Sequence, residues 1–345
     1  MSSMKAILKP EPGPGVVMDE VPIPEPDVDE VLIRVQRTAI CGTDLHIYNW
    51  DEWAQQTIQT PLVLGHEFAG EIAAVGSNVK GISEGERVTG EGHLVCGHCR
   101  NCLAGRRHLC AEPVGIGVNR DGAFAEYLCI PKINLWFPPP SIPIDTLAYF
   151  DPLGNATHAA LSFDLVGEDV LITGAGPVGL LATAIARHVG ARHIVVTDIN
   201  PYRVELAMRM GASLALNARR ESVAEVQQRL GMKEGFDIGL EVSGSAEAFR
   251  EMVDNMVHGG RIALVGILPS DASLDWTKVI FSSLTIKGIY GRQMFETWYK
   301  MTSMLQSGLD VTPVLTHIFA ADDYEQGFEV MRSGKCGKVV LDWTR

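Results

Sequence analysis

The rhythm of apolar and polar positions changes twice along this chain. Over residues 5–40 short apolar runs alternate with proline-rich breaks: Met4-Lys5-Ala6-Ile7-Leu8, then Pro22-Ile23-Pro24-Glu25-Pro26, then Glu30-Val31-Leu32-Ile33-Arg34-Val35. Runs this short, punctuated by Pro, Gly and Asp and without a helical period, predict strands of an antiparallel, barrel-like domain. Gly70-Glu71-Ile72-Ala73-Ala74-Val75-Gly76 reads as a further strand. Pro138-Pro139-Pro140 with Pro143 marks a rigid connection, after which Ile144 to Leu165 turns helical. Residues 169–291 then repeat strand, turn and helix, with strands at Val170–Thr173, Ile194–Asp198, Leu214–Leu216, Phe236–Val242, Arg261–Gly266 and Leu284–Gly288. That alternation predicts a parallel, doubly wound sheet. From Arg292 the pattern changes again. Met294, Phe295, Trp298, Met301 and Leu305 share one predicted helix face, and Tyr324, Phe328 and Met331 another, as core stripes. Strands at Val314–Phe319 and Lys338–Asp342 resemble the first kind, so the chain is expected to return to its first domain.

The expected organisation is therefore a domain of residues 1–150, completed by 292–345, and a second domain of residues 151–291. Length agrees, since 345 residues exceed the roughly 250–300 at which a single core stops growing. Charge narrows the partners. With 29 basic against 42 acidic residues the net charge is −13, which excludes nucleic acid and anionic membranes and leaves small molecules. The uncharged run Val170–Ala186 contains Gly174, Gly176, Pro177 and Gly179 and reads as strand, tight turn and helix start, not a membrane span. Met1-Ser2-Ser3-Met4-Lys5 has no cleavable-leader pattern, and a cytoplasmic location is expected.

Four of the seven cysteines, Cys96, Cys99, Cys102 and Cys110, fall within 15 residues. In a chain without a secretory leader this spacing predicts a closed tetrahedral metal site of structural character, zinc before an iron–sulfur cluster. A second constellation runs from Cys41-Gly42-Thr43-Asp44-Leu45-His46 to Gly65-His66-Glu67. Cys41, His66 and an acidic residue suit a catalytic zinc that keeps one position open. Adjacent residues on a strand point opposite ways, so Glu67 either ligates from an irregular turn or stands behind the metal.

Gly174-Ala175-Gly176-Pro177-Val178-Gly179 follows an apolar strand and opens a helix, and Asp198 ends the next strand 19 residues after Gly179. This is the context in which G-x-G-x-x-G seats a pyrophosphate on a helix N-terminus. Asp198 favours the ribose of NAD and repels a 2′-phosphate, while Arg203 is either a solvated helix charge or a ribose, adenine or phosphate contact. An open zinc in a chain that also binds a dinucleotide suggests alcohol oxidation by hydride transfer. Thr43 and His46 are then spaced for a proton relay.

Together, Cys41–Asp44, Gly65-His66-Glu67-Phe68-Ala69-Gly70, the four-cysteine lobe and the Gly174–Gly179 loop resemble the zinc-dependent medium-chain dehydrogenases over nearly the full length. Cys41–Trp53, Asp151-Pro152-Leu153-Gly154-Asn155-Ala156, Gly288-Ile289-Tyr290-Gly291-Arg292 and Met294–Tyr299 resemble the threonine-oxidising branch of that family. The resemblance implies a GroES-like β-barrel catalytic domain plus a Rossmann NAD-binding domain. It implies oxidation of the 3-hydroxyl of L-threonine to L-2-amino-3-ketobutyrate with NAD, in a cytosolic homotetramer with one catalytic and one structural zinc per subunit. It assigns Cys41, His66 and Glu67 to the catalytic zinc, Thr43 and His46 to the relay, and Val178, Asp198 and Arg203 to the cofactor. Val265, Gly266, Ile267, Ile289 and Tyr290 are implied to line the nicotinamide half, and His93 the substrate pocket. Several relatives carry a longer acid, or cysteine, near Asp151 as a further ligand; Asp151 is therefore assigned to tuning or proton relay, with direct ligation the alternative. A polyol or secondary-alcohol dehydrogenase of the same fold, and a non-catalytic NAD-linked redox or zinc sensor, are the competing readings.

Overall fold

A computed structural model describes residues 2–345. It divides into two compact units, one of residues up to Asp151 together with Leu315–Arg345, the other Pro152–Val314.

The first unit is built on the strand Glu30–Ile40, in which Val31, Ile33 and Val35 are buried and Arg34 is exposed, the period-two pattern of a half-buried strand. It pairs antiparallel with Phe68–Val75, Tyr127–Pro131 and Lys338–Asp342. Arg87–Gly90 and Leu135–Trp136 extend the sheet on one side, and Leu315–Ala320 adds parallel to Lys338–Asp342 on the other. A smaller sheet contains Val17–Pro22, Ser3–Lys9 and Leu62–Val63. The expected return of the chain is present: Val339 lies opposite Ile40, so the last strand reaches the point where the chain enters Cys41. Tyr324, Phe328 and Met331 are buried along the helix Tyr324–Ser333, and Phe328 stacks on Tyr48 with centroids 4.9 Å apart. This packing holds the helix Gly42–Asn49 that follows Cys41.

The second unit is a six-stranded parallel sheet in the order Leu214–Asn217, His193–Asp198, Asp169–Thr173, Phe236–Glu241, Met256–Leu264, Thr285–Gly288. All six strands were legible as apolar runs, within a few residues at their ends. The central strand Asp169–Thr173 is buried throughout, as a parallel strand covered on both faces must be. Connections run to one side of it and then to the other, so a topological switch point lies at its carboxyl end. A short helix, Trp276–Phe281, precedes the last strand.

Two expectations about the tail need adjusting. The helix of the first tail stripe spans Glu296–Gln306, so Met294 and Phe295 precede it, while Trp298 and Met301 are fully buried on it. The turn Thr312–Val314 packs on the helices Pro177–Val189 and Pro201–Arg209, so residues 292–314 group with the nucleotide unit and the return to the first unit falls at Leu315. His188 Nε2 on the first of these helices also bonds Ser307 Oγ at 3.2 Å, a second tie of this segment to the nucleotide unit.

Candidate metal and nucleotide sites

In the first unit the sequence-predicted ligands converge. The ligand atoms of Cys41, His66 and Glu67 all lie within 4.8 Å of one another, although 25 residues of chain separate the first two. Cys41 ends the long strand and stands at the N-cap of Gly42–Asn49, where its backbone N–H donates to Asp44 Oδ2 at 2.8 Å. His66 is delivered by a turn that only glycine permits. Gly65 has φ +90°, a Cβ there would sit 2.1 Å from the Phe124 ring, and a Cβ on Gly122 would sit 2.2 Å from the Gly65 carbonyl. The irregular turn needed for His66 and Glu67 to face one ion is thus present.

The electrostatics ask for a cation. His66 Nδ1, Glu67 Oε2 and Asp44 Oδ1 are buried without a hydrogen-bond partner, which an empty apolar core would not tolerate. Burial alone would lower His66, but Cys41, Asp44 and Asp151 around it prevail and push it up to about 10. Burial likewise raises Glu67 to about 7, with the Lys338 ammonium opposing and Asp151 reinforcing the rise. A histidine drawn so strongly toward the charged form marks the position where a metal ion would supply the positive charge. The residues present therefore fit zinc.

Glu67 carries a partner that sequence reasoning missed. Lys338 Nζ donates to Glu67 Oε1 at 2.6 Å and to the Ile40 carbonyl at 2.9 Å, with both side chains buried. One carboxylate oxygen is thus held by an ammonium, while the other is buried without a hydrogen-bond partner. Asp44 was missed too, although its place three residues after Cys41, at the third helical position, was a readable capping signal. Asp51 is a third omission: it caps the helix Glu52–Thr57, accepting from Ala54 N at 3.0 Å, and hydrogen-bonds to His46 Nδ1. His46 itself is exposed beside Trp53, ring centroids 5.9 Å apart. Thr43 Oγ1 lies 3.8 Å from Cys41 Sγ. Asp151 is buried near enough for its charge to act on His66 and Glu67, but it is not a member of the three-residue cluster. His93 opens the short strand His93–Leu94.

Cys96, Cys99, Cys102 and Cys110 form the second cluster. Backbone N–H groups turn onto the sulfurs, Cys99 N to Cys96 Sγ and Cys96 N to Cys110 Sγ, each at 3.4 Å. N–H groups of Cys102 and Ala111 draw the Cys99 thiol down to about 6, the thiolate a zinc site requires. Cys129 and Cys336 are buried elsewhere.

In the second unit, Gly174 and Gly176 lie in the turn between Asp169–Thr173 and the helix Pro177–Val189, and Val178 and Gly179 in the first turn of that helix. Gly179 cannot bear a side chain, since its Cβ would meet the Gly174 carbonyl at 1.9 Å, whereas a Cβ on Gly176 meets nothing within 4 Å. That open face is where a pyrophosphate would approach the helix N-terminus. Asp198 Oδ2 accepts from Ala175 N at 2.7 Å and Oδ1 from Asn200 N at 2.8 Å, tying the strand end to the glycine loop. Arg203 Nε is buried and unpartnered, an orphan donor at the same end of the sheet. Val265, Gly266 and Ile267 follow Met256–Leu264, and Ile289 and Tyr290 follow Thr285–Gly288, all at carboxyl ends of strands. Ile267 is 94% exposed. Glu241, unnoticed in the sequence, lies buried among them and accepts from Ser243 N at 2.8 Å and Gly244 N at 3.1 Å, with its Oε2 unpaired.

Comparison with known proteins agrees with both halves. Residues 27–140 match the alcohol dehydrogenase GroES-like domain, and residues 177–307 match the zinc-binding dehydrogenase domain. Among solved structures, galactitol-1-phosphate dehydrogenase from Escherichia coli superposes with TM-score 0.90 at 29% identity, covering 98% of this chain and 100% of that one. 2R,3R-butanediol dehydrogenase from Bacillus subtilis gives 0.88 at 25%, covering 98% and 99%. L-threonine 3-dehydrogenase of Aeromonas salmonicida (strain A449) is 60% identical over 342 residues, 99% of this chain and 100% of the relative. That of Escherichia coli (strain K12) is 59% identical over 340 residues, again 99% and 100%. The chain belongs to the zinc-dependent medium-chain dehydrogenases, within their L-threonine 3-dehydrogenase branch.

Proposed function

We propose that this protein oxidises the 3-hydroxyl of L-threonine to L-2-amino-3-ketobutyrate, using NAD and zinc. The observation that carries the reading is end-to-end identity near 60% to L-threonine 3-dehydrogenases, in a chain whose Cys41, His66 and Glu67 converge in one cluster. When bound, zinc would contribute Lewis acidity at that cluster, and NAD, seated by its pyrophosphate on the Gly174–Gly179 loop, a hydride acceptor in its nicotinamide ring. Cys41 and His66, with Glu67 at hand, hold the catalytic ion; Cys96, Cys99, Cys102 and Cys110 hold the structural one. Thr43 takes the hydroxyl proton and His46 passes it outward. Asp51, bonded to His46 Nδ1, fixes the ring and leaves Nε2 as the nitrogen that exchanges the proton. Asp151 tunes the cluster by its charge. Gly174, Gly176, Val178 and Gly179 seat the dinucleotide, Asp198 and Arg203 its adenosine half, and Val265, Gly266, Ile267, Ile289 and Tyr290 its nicotinamide half. His93 lines the substrate pocket. NADH formation with threonine, against sorbitol and butanediol and before and after chelation, tests this directly; no threonine-dependent signal from zinc-replete protein overturns it.

Asp198→Gly should raise the KM for NAD about tenfold and let NADP compete, because a carboxylate's hydrogen bonds to ribose and its repulsion of phosphate are both lost. Steady-state kinetics with each cofactor check it.

Homotetramer formation is supported by an unpaired edge. Thr285–Gly288 ends the parallel sheet and is largely exposed, and the helix before it exposes Trp276, Ile280 and Phe281 at 64%, 70% and 77%. Such an apolar edge calls for cover, and a second copy can continue the sheet. Ile280→Lys with Phe281→Glu should shift the protein to smaller species in sedimentation velocity. No helix among the described residues is long and apolar enough to cross a membrane, which accords with the proposed cytoplasmic location.

A further inference from the structure

Three loops of the second unit meet on one buried carboxylate. Glu241 ends the strand Phe236–Glu241, opposite Thr173 at the end of Asp169–Thr173, and is fully buried. Its Oε1 collects the donors: Ser243 N at 2.8 Å, Gly244 N at 3.1 Å, Thr173 Oγ1 at 3.4 Å and the Ser243 hydroxyl. Its backbone carbonyl accepts from Val265 N at 2.9 Å and Gly266 N at 3.0 Å. Glycines let the loops close on it. A Cβ on Gly174 would stand 2.8 Å from Ser243 Cα, and one on Gly266 would stand 2.3 Å from Glu241 Oε2, the oxygen without a hydrogen-bond partner. Burial pushes the carboxyl pKa up, and the Ser243 and Gly244 hydrogen bonds oppose that rise by favouring the ionised form. Every donor on Oε1 is an uncharged N–H or O–H, so the hydrogen bonds hold the charge in place without cancelling it. A charge held this way acts over several ångströms, because little water screens it.

We propose that Glu241 sets which oxidation state of the dinucleotide this protein prefers: its charge, placed against Gly266, stabilises the cationic nicotinamide ring of NAD⁺ and gives nothing to the neutral ring of NADH. The inference rests on the functional reading above, in which Val265, Gly266 and Ile267 line the nicotinamide half, and deepens it by naming the residue that discriminates oxidised from reduced cofactor. Such a preference suits alcohol oxidation, where the hydride acceptor must compete with its own product for the site. Repulsion of the pyrophosphate by the same charge is common to both forms and cancels between them. Calorimetric titration of the zinc-loaded protein with NAD⁺, NADH and ADP-ribose, which lacks the ring, tests this without turnover. Glu241→Gln keeps an oxygen for the Ser243 and Gly244 N–H groups and removes the charge. Its Kd for NAD⁺ should rise about tenfold, with those for NADH and ADP-ribose changed less than about twofold. Glu241→Asp keeps the charge, so its ratio of NAD⁺ to NADH Kd should stay within about twofold of the wild-type ratio, even if both affinities fall together. Equal losses for all three ligands in Glu241→Gln would make the residue a support for the loops alone and overturn the proposal, as would unchanged NAD⁺ binding. A ratio raised about tenfold in Glu241→Asp overturns it too. A wild-type protein that binds neither NAD⁺ nor NADH would overturn the functional reading, and this inference with it.

Discussion

Replacing His66 by alanine is expected to lower threonine oxidation by about a thousandfold or more and to remove one of the two zinc ions per chain. The magnitude follows from losing a Lewis acid worth several kcal/mol of transition-state stabilisation, at about 1.4 kcal/mol per tenfold in rate. The loss should be local. His66 sits on a turn fixed by the backbone demands of Gly65 and Gly122, and its Nδ1 has no hydrogen-bond partner. Elemental analysis should therefore show zinc retained at Cys96, Cys99, Cys102 and Cys110, with thermal unfolding little changed. Cys99→Ser should behave oppositely, losing the other ion and stability together, because that site closes a loop that otherwise has little core. A His66→Ala variant with both ions and near-normal turnover would remove the ligand assignment.

Lys338→Met is expected to be the most destabilising single change in the first unit. It leaves the Glu67 carboxylate buried opposite an apolar side chain, and breaking a buried pair by deleting one partner costs about 3–5 kcal/mol. Lys338→Met combined with Glu67→Gln should recover most of that stability, because no unpaired charge remains. Denaturant unfolding of the two single variants and the double variant, at one protein concentration, measures the coupling. The double variant should still be slow in turnover, since Glu67 contributes to the cluster as well as to the pair. Additive single effects would show that the pair has no special weight.

Much of this protein is legible locally. The Gly174–Gly179 loop announces itself because tight turns and close backbone approach are properties of a few consecutive residues. The four-cysteine lobe does so because one short segment supplies every ligand. The six parallel strands read as apolar runs since a sheet covered on both faces leaves few polar positions. The Cys41–His46 and His66–Glu67 segments were recognisable as chemistry, and Asp44 and Asp51 lay in view at capping positions where their bland role concealed the other.

What the amino-acid sequence alone determined was the two-unit plan, the residue types able to hold two metal ions and a dinucleotide, and the segments that carry them. What only the tertiary structure decided was which distant residues complete those sites. Lys338 meets Glu67 across 271 residues because the last strand pairs with Glu30–Ile40, and no local pattern encodes strand order. The grouping of residues 292–314 with the nucleotide unit comes from where the turn Thr312–Val314 packs, on the helices Pro177–Val189 and Pro201–Arg209. Burial and long-range pairing set the charge state and orientation of a side chain, and both depend on neighbours that the chain brings together only on folding.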